Sequence, residues 1–267
     1  AALAVVVAVG FALRPHGAAT PSIERPPTAF GILVPPETFL PSVESPLLDL
    51  SADGRTLIFV AAGAQTSSLY RRSLDRLAIA RIEGSEGASH PLLSPDGRFI
   101  AFFAGGALRK IPAEGGAAVT VAEARAPRGA SWVKDGSLVY SPLYNSGLWR
   151  VPATGGAPVA VTTLDTAKGE RTHRWPQVLP GGRFMYWVQS RSAEIQGAYV
   201  ASLAKPAVAE MLVPSSANAL YAPGGDGKDY LLWLRAGALV AQELDLATLT
   251  RTGELHQIAD PVASVAI

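Results

Sequence analysis

Five copies of one pattern recur along this chain at intervals of 39 to 46 residues. Each copy has an apolar approach, a tight turn with glycine, and an apolar or aromatic run after the turn. The copies begin at Leu50 (LSADGRTLIFV), Leu93 (LSPDGRFIAFF), Trp132 (WVKDGSLVYS), Leu179 (LPGGRFMYWV) and Gly224 (GGDGKDYLLWL). β-Branched and aromatic runs favour strands, and a repeat of this length is typical of propeller blades.

The turn of each copy is predicted from its residue types. Asp-Gly permits the positive φ of a tight hairpin turn, and a preceding Pro presets φ at the first turn position. An acid–base or metal role for these aspartates would need their carboxylates to converge, whereas equivalent turns are spread around a ring. We therefore assign a structural role to the turn residues, which are Asp53, Gly54, Asp96, Gly97, Asp135, Gly136, Gly182, Asp226 and Gly227.

A second motif occurs once in each copy of the repeat, after the first motif. It reads SLYRRSLD from Ser68, ALRKIPAEGG from Ala107 and GLWRVPATGG from Gly147, with weaker copies from Gly197 and Ala238. Each repeat therefore predicts four strands. A four-stranded sheet cannot bury both of its faces alone, so neighbouring sheets must stack around an axis. We predict an all-β protein, a β-propeller of four-stranded antiparallel blades.

The sequence predicts three parts. Residues 1–13 (AALAVVVAVGFAL) carry no charge and are interpreted as the end of a transmembrane helix, since a spanning helix needs about 20 apolar residues. A signal-peptide core is the alternative, although its charged leader is absent. Residues 14–29 are a Pro/Ala-rich linker, and residues 30–267 form the propeller. Its blades are expected near 46–83, 90–122, 129–163, 175–213 and 220–259.

Five blades are visible in the sequence, and we expect the ring to be truncated from six or more. The tail PVASVAI would then begin a further blade.

Composition excludes several classes of function. The chain has no Cys, which removes disulfides, thiolate catalysis and cysteine metal sites. A net charge of +1 supplies no basic surface for phosphate backbones, so no nucleic-acid partner is predicted. The sequence also lacks a Gly-x-Ser-x-Gly nucleophile elbow.

The LSPDGRFIAFF and ALRKIPAEGG motifs resemble the repeat of TolB-like propellers, which are similar in architecture to WD-repeat proteins. The stretch from Gly105 to Phe184 also resembles the C-terminal region of bacterial membrane-anchored serine/threonine protein kinases that carry such a propeller outside the membrane. The resemblance covers about Phe30 to Ile267.

This resemblance implies a sensor or interaction propeller, held on the extracytoplasmic side of a membrane by the N-terminal helix and binding a protein, peptide or small ligand. This chain has no glycine-rich phosphate loop and no His-Arg-Asp catalytic loop. We therefore predict that it is not an enzyme, and kinase activity would belong to a parent protein. A propeller enzyme of the oligosaccharide-lyase type and a free periplasmic TolB-like scaffold are the alternatives.

Histidines bear on the lyase alternative, because related lyases hold a metal with histidines from several blades. The four histidines are His16, His90, His173 and His256. His90 and Trp175 both lie seven residues before a turn glycine, and His173 lies two residues earlier than Trp175. The equivalent residues Leu47, Gly129 and Leu220 cannot bind a metal. Two histidines without nearby carboxylates make a poor metal site, so no metal and no cofactor are predicted.

The polar segment from Leu164 to Arg174 is the longest polar connection between blades, and it leads to the mouth of the predicted channel. Arginine and histidine beside an aromatic ring suit a carboxylate, a sugar or a peptide. The candidate ligand-binding residues are His90, Arg128, Glu170, Arg171, His173, Arg174 and Trp175. The competing interpretation, which we favour at this point, is a solvated, self-paired loop that holds two blades together.

Overall fold

The structure is a computed structural model that describes residues 31, 34–41, 46–224 and 227–259. The predicted helix end at 1–13, the linker at 14–29, His16, Asp226 and the tail from 260 to 267 lie outside the described residues. In the described part, no helix is both long and apolar enough to span a membrane.

Twenty strands are present in the described chain, and they form five four-stranded sheets. Blade 1 consists of β1 (Leu48–Leu50), β2 (Thr56–Ala62), β3 (Ser67–Ser73) and β4 (Ile79–Arg81). Blade 2 consists of β5 (Ser89–Leu93), β6 (Phe99–Ala104), β7 (Ala107–Pro112) and β8 (Val119–Glu123). Blade 3 consists of β9 (Ala130–Trp132), β10 (Ser137–Tyr140), β11 (Trp149–Pro152) and β12 (Val159–Ala160).

The last two blades have longer strands. Blade 4 consists of β13 (Glu170–Leu179), β14 (Arg183–Ser190), β15 (Gly197–Ser202) and β16 (Lys205–Pro214). Blade 5 consists of β17 (Ala219–Pro223), β18 (Asp229–Arg235), β19 (Ala238–Asp245) and β20 (Thr250–Ala259). Within every blade the strands pair in chain order and antiparallel. The prediction of an all-β propeller with four-stranded antiparallel blades, five of them visible, is confirmed.

The turns between the first and second strands show why Asp-Gly recurs. Gly97 has φ +69, and its N–H donates to Ser94 O at 2.8 Å. Asp96 Oδ1 accepts from the Ser94 hydroxyl at 2.6 Å and from Arg98 N at 3.1 Å. Asp53 and Asp135 likewise accept bonds inside their own turns. Each of these carboxylates is therefore hydrogen-bonded within its own blade, and the three blades are different.

The core lies between successive blades. The second strands of blades 1 and 2 are buried on both faces because a neighbouring blade or segment covers each side, whereas in β18 of blade 5 only alternate residues are buried. Four clusters of buried side chains each join two consecutive blades; for example, Ile58 and Phe102 share one, and Leu108 and Leu138 share the next. A fifth cluster covers the other face of blade 1 with residues that include Val34. Among the described residues, no cluster joins blade 5 to blade 1.

The first strands of successive blades lie against one another and line the axis. In three of them the residue five positions before the turn glycine is polar. The side chain of that residue bonds to the backbone of the next blade. These bonds are Leu93 N to Asp49 Oδ2 (2.6 Å), Val178 N to Ser131 Oγ (3.0 Å) and Tyr221 N to Gln177 Oε1 (2.7 Å). Between blades 2 and 3 the bond runs from Trp132 Nε1 to Leu92 O at 3.2 Å. Directional bonds thus hold every seam from blade 1 to blade 5.

Candidate functional site

An unusual backbone conformation recurs where three first strands enter the ring. His90, Gly129 and Trp175 occupy the same blade position and have φ values of +51, +92 and +53. Positive φ is uncommon for residues other than glycine. The pairing register shifts beside His90 in β5 and beside Trp175 in β13, as it does at a β-bulge. Bulges re-aim side chains, and here the ring of Trp175 stacks on His90 and lies against Gly129.

His90 is a buried polar residue at this entrance, with 5% of its surface exposed. Its ring stacks on Trp175 at a centroid distance of 5.5 Å and meets Phe103 edge-on, also at 5.5 Å. Neither ring nitrogen has a hydrogen-bond partner among the described residues. Burial, reinforced by the charge of Arg128, lowers the pKa of His90 to about 4. The imidazole is therefore neutral at physiological pH.

Trp175 belongs to the wall of this entrance. Its N–H donates to Arg128 O at 2.8 Å, which ties β13 to the segment that enters blade 3. Its ring also lies so close to Gly129 that a Cβ added there would come 2.8 Å from Cε3. Because the indole packs against both His90 and Gly129, it fills the space that a side chain at 129 would need.

Arg128, Arg171 and Arg174, here called the arginine cluster, lie beside this wall. Burial first, and then the charges of Arg128 and Arg171, lower the pKa of Arg174. The Arg174 guanidinium lies 5.9 Å from the centroid of Trp187, and its buried Nε forms no hydrogen bond with any residue that the structure describes. Within the described part of the chain, none of the three arginines forms an ion pair with a carboxylate. Positive charge is thus concentrated where the first strands of blades 3 and 4 begin, in a nearly neutral protein.

Glu170 and His173 form a separate, buried chain of hydrogen bonds. His173 Nε2 lies 3.1 Å from Glu170 Oε2, and His173 Nδ1 lies 2.7 Å from Thr162 Oγ1. Thr162 Oγ1 also accepts from Leu148 N at 2.9 Å, and Glu170 Oε2 accepts from Asp165 N at 2.7 Å. Because each oxygen is already bonded within the protein, this chain fastens blade 3 to β13. The expectation that His173 has no nearby carboxylate is wrong.

The segment predicted as a long polar connection is shorter in the structure. A 3₁₀ helix spans Thr166–Lys168, and Gly169 with φ +88 ends it. β13 begins at Glu170, so Arg171 and Arg174 are strand residues. Pairing with β14, which starts with Glu170 opposite Ser190, overrides the low strand propensity of these polar residues. As a result, their side chains are held by a sheet.

Metal ligands do not gather in the described residues. No group of three or more His, Asp or Glu side chains there is placed to hold a metal ion. His256 lies on the exposed strand β20, away from His90 and His173.

A concave surface of about 600 Å³ lies between blades 2 and 3. Tyr140, Leu143 and Trp149 supply its apolar wall, and none of its lining residues belongs to the arginine cluster.

No protein-family model and no curated protein matches the sequence. Solved structures do match the fold. A protein described as TolB from Agrobacterium tumefaciens aligns with a TM-score of 0.61 at 16% identity, over 86% of this chain and 83% of that one. TolB from Acinetobacter baumannii aligns with a TM-score of 0.64 at 11% identity, over 88% of this chain and 57% of that one.

An oligogalacturonate lyase from Vibrio parahaemolyticus aligns with a TM-score of 0.55 at 12% identity, over 83% of this chain and 71% of that one. At these identities the likeness shows the fold alone. The fold is that of the TolB-type β-propellers, as the repeat motifs predicted.

Proposed function

We propose that this TolB-like β-propeller is a non-catalytic sensor or interaction module that binds a ligand at the channel mouth between blades 2, 3 and 4. The observation that carries the proposal is the arginine cluster beside His90, whose three guanidinium groups form no ion pair with any carboxylate of the described residues. Like charges held together cost free energy in the unliganded protein, and perturbed ionisable groups of this kind concentrate at functional sites.

Backbone strain at the same place supports the proposal. His90 and Trp175 both have positive φ, a conformation that costs free energy for residues with a Cβ. Such strain tends to be retained at binding sites and active sites.

Ligand binding is tested by calorimetric titration of the protein with a panel of peptides and organic acids. The double variant Arg171→Ala/Arg174→Ala should lose binding while its melting temperature changes little. Arg98→Ala is the matched control, because Arg98 is exposed and already paired with Asp96. A large drop in melting temperature for the double variant alone would show that the two arginines are structural.

We further propose that the propeller is the extracytoplasmic part of a receptor-type bacterial serine/threonine protein kinase, attached to the membrane through residues 1–13. The support is the sequence resemblance and the order apolar segment, linker, propeller. The reading frame upstream of Ala1 tests this proposal. A kinase domain is the expected result, and a start codon with a signal leader would replace it with a free periplasmic scaffold.

A lyase is the second candidate, because an oligogalacturonate lyase shares the fold. Metal analysis of the purified protein, together with an assay for unsaturated products from oligogalacturonate, tests it. Stoichiometric manganese or zinc with turnover would replace the non-catalytic proposal.

A further inference from the structure

We infer that His90, Arg128 and Arg174 form a binding site for a carboxylate group, so that the ligand of the channel mouth is an organic acid or a chain with a free carboxylate. This inference rests on the proposed function and narrows the chemistry of its ligand. Arg171, which is exposed, extends the same positive surface outward.

Three blades place these side chains at one spot. His90 comes from β5 and Arg174 from β13, while Arg128 precedes β9. The bond from Trp175 N to Arg128 O and the stacking of His90 on Trp175 fix the relative positions of the three segments. Arg128 enters blade 3, whose first strand β9 lies between β5 of blade 2 and β13 of blade 4. Its charge also contributes to the lowered pKa of both His90 and Arg174.

Buried polar atoms with unused hydrogen-bonding capacity support a ligand at this place. Both nitrogens of His90 and Nε of Arg174 are buried and form no hydrogen bond with the described part of the chain. Buried polar groups in folded proteins are bonded in the great majority of cases, and leaving one unmet is costly. A neutral imidazole offers one donor and one acceptor, and each guanidinium offers several donors. A carboxylate supplies acceptors for the donors, and a hydroxyl on the same ligand or a water can donate to the remaining imidazole nitrogen.

The shape of the wall favours a carboxylate over a phosphate. A planar guanidinium fork matches the two oxygens of a carboxylate, and this wall presents the flat rings of His90 and Trp175. A phosphate would bring a larger charge and a third oxygen into a half-buried site where His90 donates only one N–H. Each oxygen left without a donor there would cost desolvation free energy.

Calorimetric titration of the purified chain tests the inference with succinate, citrate, the neutral diamide succinamide, and inorganic phosphate. Succinate and citrate should bind, and succinamide should not. Arg128→Gln and Arg174→Gln should each weaken carboxylate binding by about tenfold or more, since a charge-assisted hydrogen bond is worth at least that much. Arg98→Gln, at an exposed and paired position, should leave it unchanged.

Arg128→Lys and Arg174→Lys keep the charge and guard against loss of folding. They should bind carboxylates more weakly than the native chain because the planar fork is lost. Carboxylate binding that survives both Gln variants would overturn the placement of the site. Phosphate binding as strong as that of succinate would overturn the assigned chemistry.

The two proposals fail in different ways. Binding of a neutral sugar or an amidated peptide that depends on the arginine cluster, without carboxylate binding, would overturn this inference and keep the proposed function. If no member of either panel binds, both are overturned.

Discussion

The imidazole of His90 stacks on the indole of Trp175, with centroids 5.5 Å apart and ring planes at 23°. The two residues occupy the same position in blades 2 and 4, and both have positive φ. Gly129 takes that position in blade 3, between them in the chain, and contributes no side chain. The absence of a Cβ at 129 is what lets rings from alternate blades meet. The packing of these two rings therefore depends on the glycine at 129.

Gly129→Ala should destabilise the protein by about 3 kcal/mol, because a Cβ costs about 1–2 kcal/mol at positive φ and overpacking adds about as much. At this position φ is +92 and the new Cβ would come 2.8 Å from Trp175 Cε3. Urea unfolding measures the change. Gly97→Ala is the control, since Gly97 has φ +69 with nothing within 4 Å of an added Cβ. It should cost only about 1–2 kcal/mol, and equal losses at the two sites would contradict the packing argument.

The sequence predicted the fold because its strongest signals are local. Asp-Gly turns and the apolar runs that follow them report hairpins, and their spacing reports blades. Counting from the turn glycines also placed His90, Gly129 and Trp175 at equivalent positions. Their stacking could not be predicted, since it depends on bulges that bend β5 and β13.

The link from Thr162 through His173 to Glu170 was missed for a different reason. Thr162 and His173 lie on different blades, and no spacing rule connects residues that meet only when two blades pack. The pair Glu170 and His173, three residues apart, was the single local signal available.

Two buried threonines provide a matched test of that link. Thr162→Val removes the oxygen that bonds Leu148 N and His173 Nδ1. It should lower the free energy of unfolding by about 2 kcal/mol, because both groups lose their partner. Thr172→Val, next to His173, should be neutral or stabilise by up to about 1 kcal/mol, because Thr172 Oγ1 is buried and has no hydrogen-bond partner within the described ranges. Thermal and urea unfolding of both variants check the contrast. Similar losses in the two would refute the structural role of the link.

Asp49 should make stability depend on pH. Burial raises the pKa of its carboxyl from 3.8 to about 6, although bonds from Leu93 N and Leu50 N oppose the rise. Because the folded-state pKa lies above the ordinary value, the contribution of Asp49 to stability is complete below about pH 4 and is lost as the pH rises through about 6.

Between about pH 5 and about pH 8 the loss should be about 1 kcal/mol, and Asp49→Asn should not show it. Urea unfolding at both pH values measures the difference between the native chain and the variant. Parallel pH profiles would show that the carboxyl does not titrate in this range.

Gln177 should act as a clamp between blades 4 and 5. Its Oε1 accepts from Tyr221 N at 2.7 Å and its Nε2 donates to Tyr221 O at 2.9 Å, so one amide satisfies both backbone groups of Tyr221. Gln177→Met keeps the length of the side chain and removes both hydrogen bonds. It should lower the free energy of unfolding by about 2 kcal/mol. Hydrogen exchange should then show faster opening of blade 5 than of blade 2.

Gln177→Glu separates the clamp from simple packing. At neutral pH a carboxylate still accepts from Tyr221 N, but it cannot donate to Tyr221 O and repels that carbonyl. The variant should therefore be at least as unstable as Gln177→Met near pH 7. Below the pKa of the new carboxyl, the protonated side chain gains an O–H donor. The loss of stability of Gln177→Glu relative to the native chain should then become smaller. If the loss of stability were the same at both pH values, the two hydrogen bonds would not be what holds blades 4 and 5 together.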